Sequence, residues 1–206
     1  VNAGVTVTNN AAVTIAGSLA GGSVASTWVN GLNSALTVNT GTPMSTGVLN
    51  AGNDVNTVTY GGGTQTVKSG NYWNLIIGGA AGTKTVPDVV VKGNFARNAG
   101  TLSFSGTLTF EESNSASLNM NGVAATFANV VVNKPGGTVT LNAGAAALTY
   151  TFTSLTVANG EFNLGATATT ALINGNLAGA GTLSANGTTG PVVRLRGASN
   201  SIGTFN

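Results

Sequence analysis

The sequence predicts an all-β chain wound as a parallel β-helix, a β-solenoid with coils of roughly 20–30 residues, and three observations carry that expectation. Apolar residues alternate with Thr in short runs, Asn-Gly pairs punctuate the runs, and the runs resemble one another at recurring spacings. The alternating runs include Val5-Thr6-Val7-Thr8, Leu36-Thr37-Val38, Thr57-Val58-Thr59-Tyr60, Thr107-Leu108-Thr109-Phe110 and Thr138-Val139-Thr140-Leu141. A period of two puts the apolar side chains on one face of a strand and Thr on the other. Asn30-Gly31, Asn121-Gly122, Asn159-Gly160, Asn174-Gly175 and Asn186-Gly187 mark turns, because both residue types tolerate positive φ. No segment combines helical periodicity with helix caps.

The third observation is internal repetition. Tyr72-Trp73-Asn74-Leu75-Ile76-Ile77 matches Phe127-Ala128-Asn129-Val130-Val131-Val132 at an offset of 55 (129−74), and Phe152-Thr153-Ser154-Leu155-Thr156-Val157 follows 25 residues later (152−127). Such spacings suit stacked coils in which each repeat touches its neighbours. Asn74 and Asn129 are then expected at corners, where side-chain amides can hydrogen-bond along the stack, and Ser154 stands at the matching position of the third repeat. Leu75, Val130 and Leu155 are expected inside, and so is Val131. Residues 1–50 read as an N-terminal β segment, an assembly strand or cap, and residues 51–206 as the repetitive solenoid region. An antiparallel β-sandwich completed by a donor strand is the alternative fold, since it needs the same alternation and the same turns.

The run from Val58-Thr59-Tyr60-Gly61-Gly62-Gly63-Thr64-Gln65-Thr66-Val67 through Tyr72-Trp73-Asn74-Leu75-Ile76-Ile77 to Gly82-Thr83-Lys84-Thr85-Val86 resembles the repeats of bacterial cell-surface β-strand-repeat proteins. Those proteins are adhesin-like or autotransporter-passenger-like. The resemblance is clearest from residue 55 to residue 185, and Trp28, Pro43 and Met44 have no counterpart in the repeat. It implies a β-helix and an extracellular or cell-surface location.

Composition narrows the function independently. The chain has no His and no Cys, and seven Lys and Arg with five Asp and Glu leave only 6% of its residues charged. The usual general base, the usual nucleophile-activating partner and the usual zinc ligands are therefore missing. The net charge of +2 is scattered, with Arg194 and Arg196 the nearest thing to a cluster, so nucleic acid is not an expected partner. No apolar run approaches the roughly 18 residues of a membrane-spanning helix. The chain opens at Val1 without a basic and apolar leader, as expected where a targeting segment has been removed or where a longer chain surrounds this one.

Few side chains are left as site candidates, and no catalytic, cofactor-binding or metal-binding residue is expected. Glu111 and Glu112 are neighbours, which a strand would point to opposite faces, so they read as a solvated turn rather than a catalytic pair. Gly61-Gly62-Gly63 and Gly78-Gly79-Ala80-Ala81-Gly82 lack the Lys-Ser/Thr ending of a phosphate loop and read as turns. Lys68, Lys84, Lys92, Arg97 and Lys134 are expected to protect edges and keep the surface soluble. An internal Lys–Asn isopeptide bond needs a buried Lys, an Asn and a carboxylate together, and the sequence identifies no such trio. Trp28, Tyr72 and Trp73 are candidate aromatics for stacking on a surface polysaccharide. The expected function is a non-enzymatic structural subunit or segment of a self-assembling extracellular fibre, a homopolymer joined through the strand carrying Val5, Val7, Val13 and Ile15, with a carbohydrate-binding adhesin module as the alternative.

Overall fold

The computed structural model of the chain describes residues 1–144, 147–167, 169–185, 190–197 and 203–205, so the expected turn at Asn186-Gly187 lies outside the described residues. The described chain is all-β, and its parallel strands stack in about eight turns as a β-solenoid. Parallel pairing overturns the alternative, because a sandwich completed by a donor strand would be built of antiparallel ladders. Two compact units divide the chain: residues 1–92 with 97–105, and residues 93–96 with 106–206.

In the first unit, strand Thr6–Asn9 pairs with Thr27–Asn30, which pairs with Val48–Asn50. A second column stacks Ala12–Ile15, Ala35–Val38, Thr57–Tyr60 and Asn74–Ile77. This column runs across residue 50 without a break. A third joins Gln65–Thr66, Thr83–Val86 and Thr101–Phe104. Register places Leu36, Val58 and Leu75 in one inward ladder and Val38, Tyr60 and Ile77 in the next, all fully buried. Burying each such side chain is worth about 1.5–3 kcal/mol, and the ladders are the cohesion of the unit.

In the second unit, the strands Ala125–Asn142 and Thr149–Asn163 each serve three columns in turn. Phe127 pairs with Phe152, Val130 with Leu155, and Val139 with Phe162, with register irregularities between Val132 and Asn133 and between Asn133 and Thr138. Thr107–Glu111 extends the middle column on one side and Leu177–Ala178 on the other. The 25-residue spacing read in the sequence is therefore a true coil register, Asn129 over Ser154 and Val130 over Leu155. Coil lengths vary from 17 residues (Thr57 to Asn74) to 26 (Asn133 to Asn159), so the shortest fall below the expected range. The corners absorb the difference. Phe127, Phe152 and Phe162 fill the interior, the first two stacked with centroids 5.0 Å apart and the last two edge to face at 6.0 Å.

Val131 is a correction. Val130 and Val132 are fully buried, whereas Val131 lies between them on the half-buried outer face. Two residues, Ala128 and Asn129, turn the corner after Phe127, so the alternation restarts at Val130 with shifted parity.

Candidate functional site

The strands Thr6–Asn9 and Ala12–Ile15 stand at the ends of their columns: among the described strands, each pairs on one edge only, with Thr27–Asn30 and Ala35–Val38 respectively. Their backbone groups on the other edge form no ladder there. Val7 lies in register with Trp28, Val13 with Leu36, and Ile15 with Val38. The three partners are buried, while Val7, Val13 and Ile15 are only half-buried and Val5 is 44% exposed. These side chains thus point the way a core ladder points, but nothing among the described residues covers their other flank. A strand edge with apolar side chains beside it is a template for another strand.

Corners are held by side-chain amides, those of Asn9, Asn30 and Asn56 buried. Asn9 Nδ2 donates to Asn30 Oδ1 at 3.0 Å and to the Ala35 carbonyl at 3.1 Å, and Trp28 Nε1 donates to the same Asn30 oxygen at 3.1 Å. Asn30 Nδ2 reaches the Thr57 carbonyl, Asn56 Nδ2 the Asn30 carbonyl, and Asn74 Nδ2 the Asn56 carbonyl, each one coil away. In the second unit Ser154 Oγ donates to Asn129 Oδ1 at 2.6 Å. Asn159 Nδ2 likewise donates to Asn133 Oδ1 at 2.7 Å. The expected corner residues do bond along the stack; Asn9, Asn30 and Asn56 belong to the same system and were missed, because no repeat in the sequence marks them.

Two of the three candidate stacking aromatics need correcting. Tyr72 is 1% exposed and Trp28 8%, so neither offers a ring face to a sugar. Tyr72 Oη donates to the Lys68 carbonyl at 2.6 Å, which leaves Tyr60 Oη to donate to Tyr72 at 2.9 Å while accepting the Lys68 N–H at 2.9 Å. Burial pushes Tyr60 up to about 12 and Tyr72 well above the ordinary phenol range. Trp73, half-buried where Gly70–Tyr72 gives way to Asn74–Ile77, is the remaining candidate.

Lys84 and Lys134 are corrections too, since both are fully buried rather than solvating. Lys84 Nζ donates to the carbonyls of Gly62 at 2.5 Å and Ala80 at 3.0 Å. Its register partner Gln65 does the same one coil earlier, donating to Val38 and Gly41. Desolvation lowers the Lys84 pKa. Lys134 Nζ donates to the Glu111 carbonyl and to Asn114 Oδ1 at 3.3 Å. Desolvation brings it down to about 8, against the opposing charges of Glu112 and Glu111.

The glycine runs stack as turns of successive coils, with Ala80 N–H donating to the Gly61 carbonyl at 2.9 Å. Gly79 has φ +74°, and a Cβ there would lie 1.7 Å from the Gly61 oxygen. Glu161 accepts from Thr138, Asn163 and Ser184, a polar column on a half-buried face. Among the described residues no group of three or more His, Cys, Asp or Glu comes together, and no helix is long and apolar enough to cross a membrane. No family model, no curated protein and no solved structure matches the chain.

Proposed function

We propose that this chain is a non-catalytic structural segment of a self-assembling extracellular fibre or surface layer, and that the edge formed by Thr6–Asn9 and Ala12–Ile15 receives a strand from a second copy of the chain. The single observation that carries the reading is the half-covered ladder of Val7, Val13 and Ile15 on strands with one unpaired edge. A further parallel coil would complete both the backbone ladder and the apolar one, gaining hydrogen bonds and burial together. The scarcity of charge supports it, because like charges stacked at strand spacing would oppose every added coil. The homopolymer follows from this reading, while the surface location rests on the resemblance of the repeats alone.

Substituting Val13→Lys and Ile15→Lys tests it. The ammonium groups would lie where an incoming coil must pack, while the half-exposed flank spares the monomer a full burial penalty. Sedimentation velocity and negative-stain microscopy should show polymers for the unaltered chain and monomers for the double variant, with unchanged circular dichroism. Monomers from both, or polymers from both, would sink the assignment.

A carbohydrate-binding adhesin module is the second reading, and Trp73 is the observation that favours it. An aromatic half-exposed at a corner can stack on a sugar ring. Glycan-array binding that disappears on Trp73→Ala, with assembly retained, would favour it over the fibre.

A further inference from the structure

A buried amine that donates to backbone carbonyls is a structural tie, and Lys84 is one: its partners are the Gly62 and Ala80 carbonyls, which cannot lose a leaving group without cutting the chain. Lys134 differs in what surrounds it. Its Nζ lies 3.3 Å from Oδ1 of Asn114, a side-chain amide that can lose ammonia. The amide carbon is one C=O bond of about 1.2 Å from that oxygen, so a small side-chain rotation brings nitrogen and carbon to the roughly 3–3.5 Å of a near-attack pair. Glu112 and Glu111 are near enough for their charges to act on the amine. Glu112 has φ +74°, an uncommon conformation for a residue with a side chain and one met at functional sites. The backbone is held tightly as well. A Cβ on Gly137 would lie 2.7 Å from the Asn114 carbonyl oxygen, and one on Gly160 would lie 2.1 Å from that of Lys134.

We propose that Lys134 and Asn114 join in an intramolecular isopeptide bond, with Glu112 carrying the proton. The Lys134 ammonium first passes one proton to the Glu112 carboxylate, and the neutral amine attacks Cγ of Asn114 so that a Nζ–Cγ bond forms. The carboxyl of Glu112 gives that proton to Nδ2, the Cγ–Nδ2 bond breaks and ammonia leaves. The carboxylate then takes the surplus proton from Nζ and hands it to the departing ammonia, which restores the carboxylate and leaves an amide. No oxidant or co-reactant is consumed. The desolvation that lowers Lys134 to about 8 leaves roughly a tenth of the amine neutral at pH 7, so unassisted deprotonation is not the obstacle it is for a surface lysine. The bond ties the turn after Thr107–Glu111 to the following coil, where Glu111 pairs with Asn133. This inference does not depend on the fibre reading.

Intact-mass spectrometry of the folded chain is the test. The expected mass is about 17 Da below that of the sequence, one ammonia. An Asn-Gly succinimide loses the same ammonia, so two controls are needed. Asn114→Ala and Lys134→Arg should keep the full mass, and cleavage beside Phe127, which lies between the two residues, should leave their peptides joined only in the unaltered chain. Glu112→Gln should retain most of the full mass. Formation in freshly refolded protein should slow as pH rises above about 8, where the proton that Lys134 passes to Glu112 is lost to solvent. A full mass after days at pH 7, with Lys134 still open to acylation, would overturn the proposal. So would a mass loss that persists in Asn114→Ala.

Discussion

Tyr60 and Tyr72 illustrate how a few buried polar groups set local order in a chain with so little charge. Their two hydroxyls and the Lys68 peptide form a closed set in which every proton has an acceptor. Tyr60→Phe removes the acceptor of the Lys68 N–H and the donor to Tyr72 at once. A buried group left unsatisfied costs about 1–3 kcal/mol, so urea unfolding should report a loss in that range with an unchanged m-value. Asn30 carries more, because its side chain serves Asn9, Trp28 and the Thr57 carbonyl. Asn30→Ala is expected to cost more than Tyr60→Phe in the same measurement, and equal losses would show that these bonds have replacements. Neither network was legible in the sequence. An Asn before a Gly reads as a surface turn, and only the fold brings Asn9, Trp28 and Thr57 to Asn30.

Strands were the most legible level, and their failures have one cause. Alternation predicts which face a side chain takes only while a strand runs straight, and each corner of a coil can reset the parity. Phe127, Val130 and Val132 are buried, so counting in twos from Phe127 assigns Val131 to the wrong face. The opposite error occurred with the lysines. Lys84 is two residues before buried Val86, and Lys134 two residues after buried Val132, so parity alone pointed both inward. Their charge argued otherwise, and it was misleading because backbone carbonyls supply their partners. The element-scale prediction follows from the register. Leu155→Asp buries a carboxylate in the ladder between Val130 and Leu177 and should abolish the cooperative thermal transition. Val131→Lys, one residue from equally buried neighbours, should shift the midpoint by only a few degrees. Matching losses from the two would refute the assigned register.

At the scale of the whole molecule, the titrating groups predict an unusual dependence of stability on pH. The chain has no His to titrate near neutrality, and its buried Lys and Tyr side chains titrate in the alkaline range. Lys134 titrates at about 8 when folded and at 10.5 in its unperturbed state. Between those values the unfolded chain binds more protons, and stability rises with pH; Lys84 is shifted in the same direction and acts with the same sign. Tyrosine has the opposite effect. Burial holds Tyr60 and Tyr150 up to about 12 and raises Tyr72, so above pH 10 the unfolded chain releases protons that the folded chain keeps, and stability falls. The thermal midpoint should climb from about pH 8, peak near pH 10 and then drop. An isopeptide bond would remove Lys134 from this balance, because an amide nitrogen does not titrate there. The climb should then be steeper in Asn114→Ala, where the amine stays free, than in the cross-linked chain, where of the two buried lysines only Lys84 still titrates. Calorimetric scans of both proteins from pH 7 to pH 12 would decide. A midpoint that falls steadily across that range in Asn114→Ala would mean that the buried lysines are not held below their ordinary range.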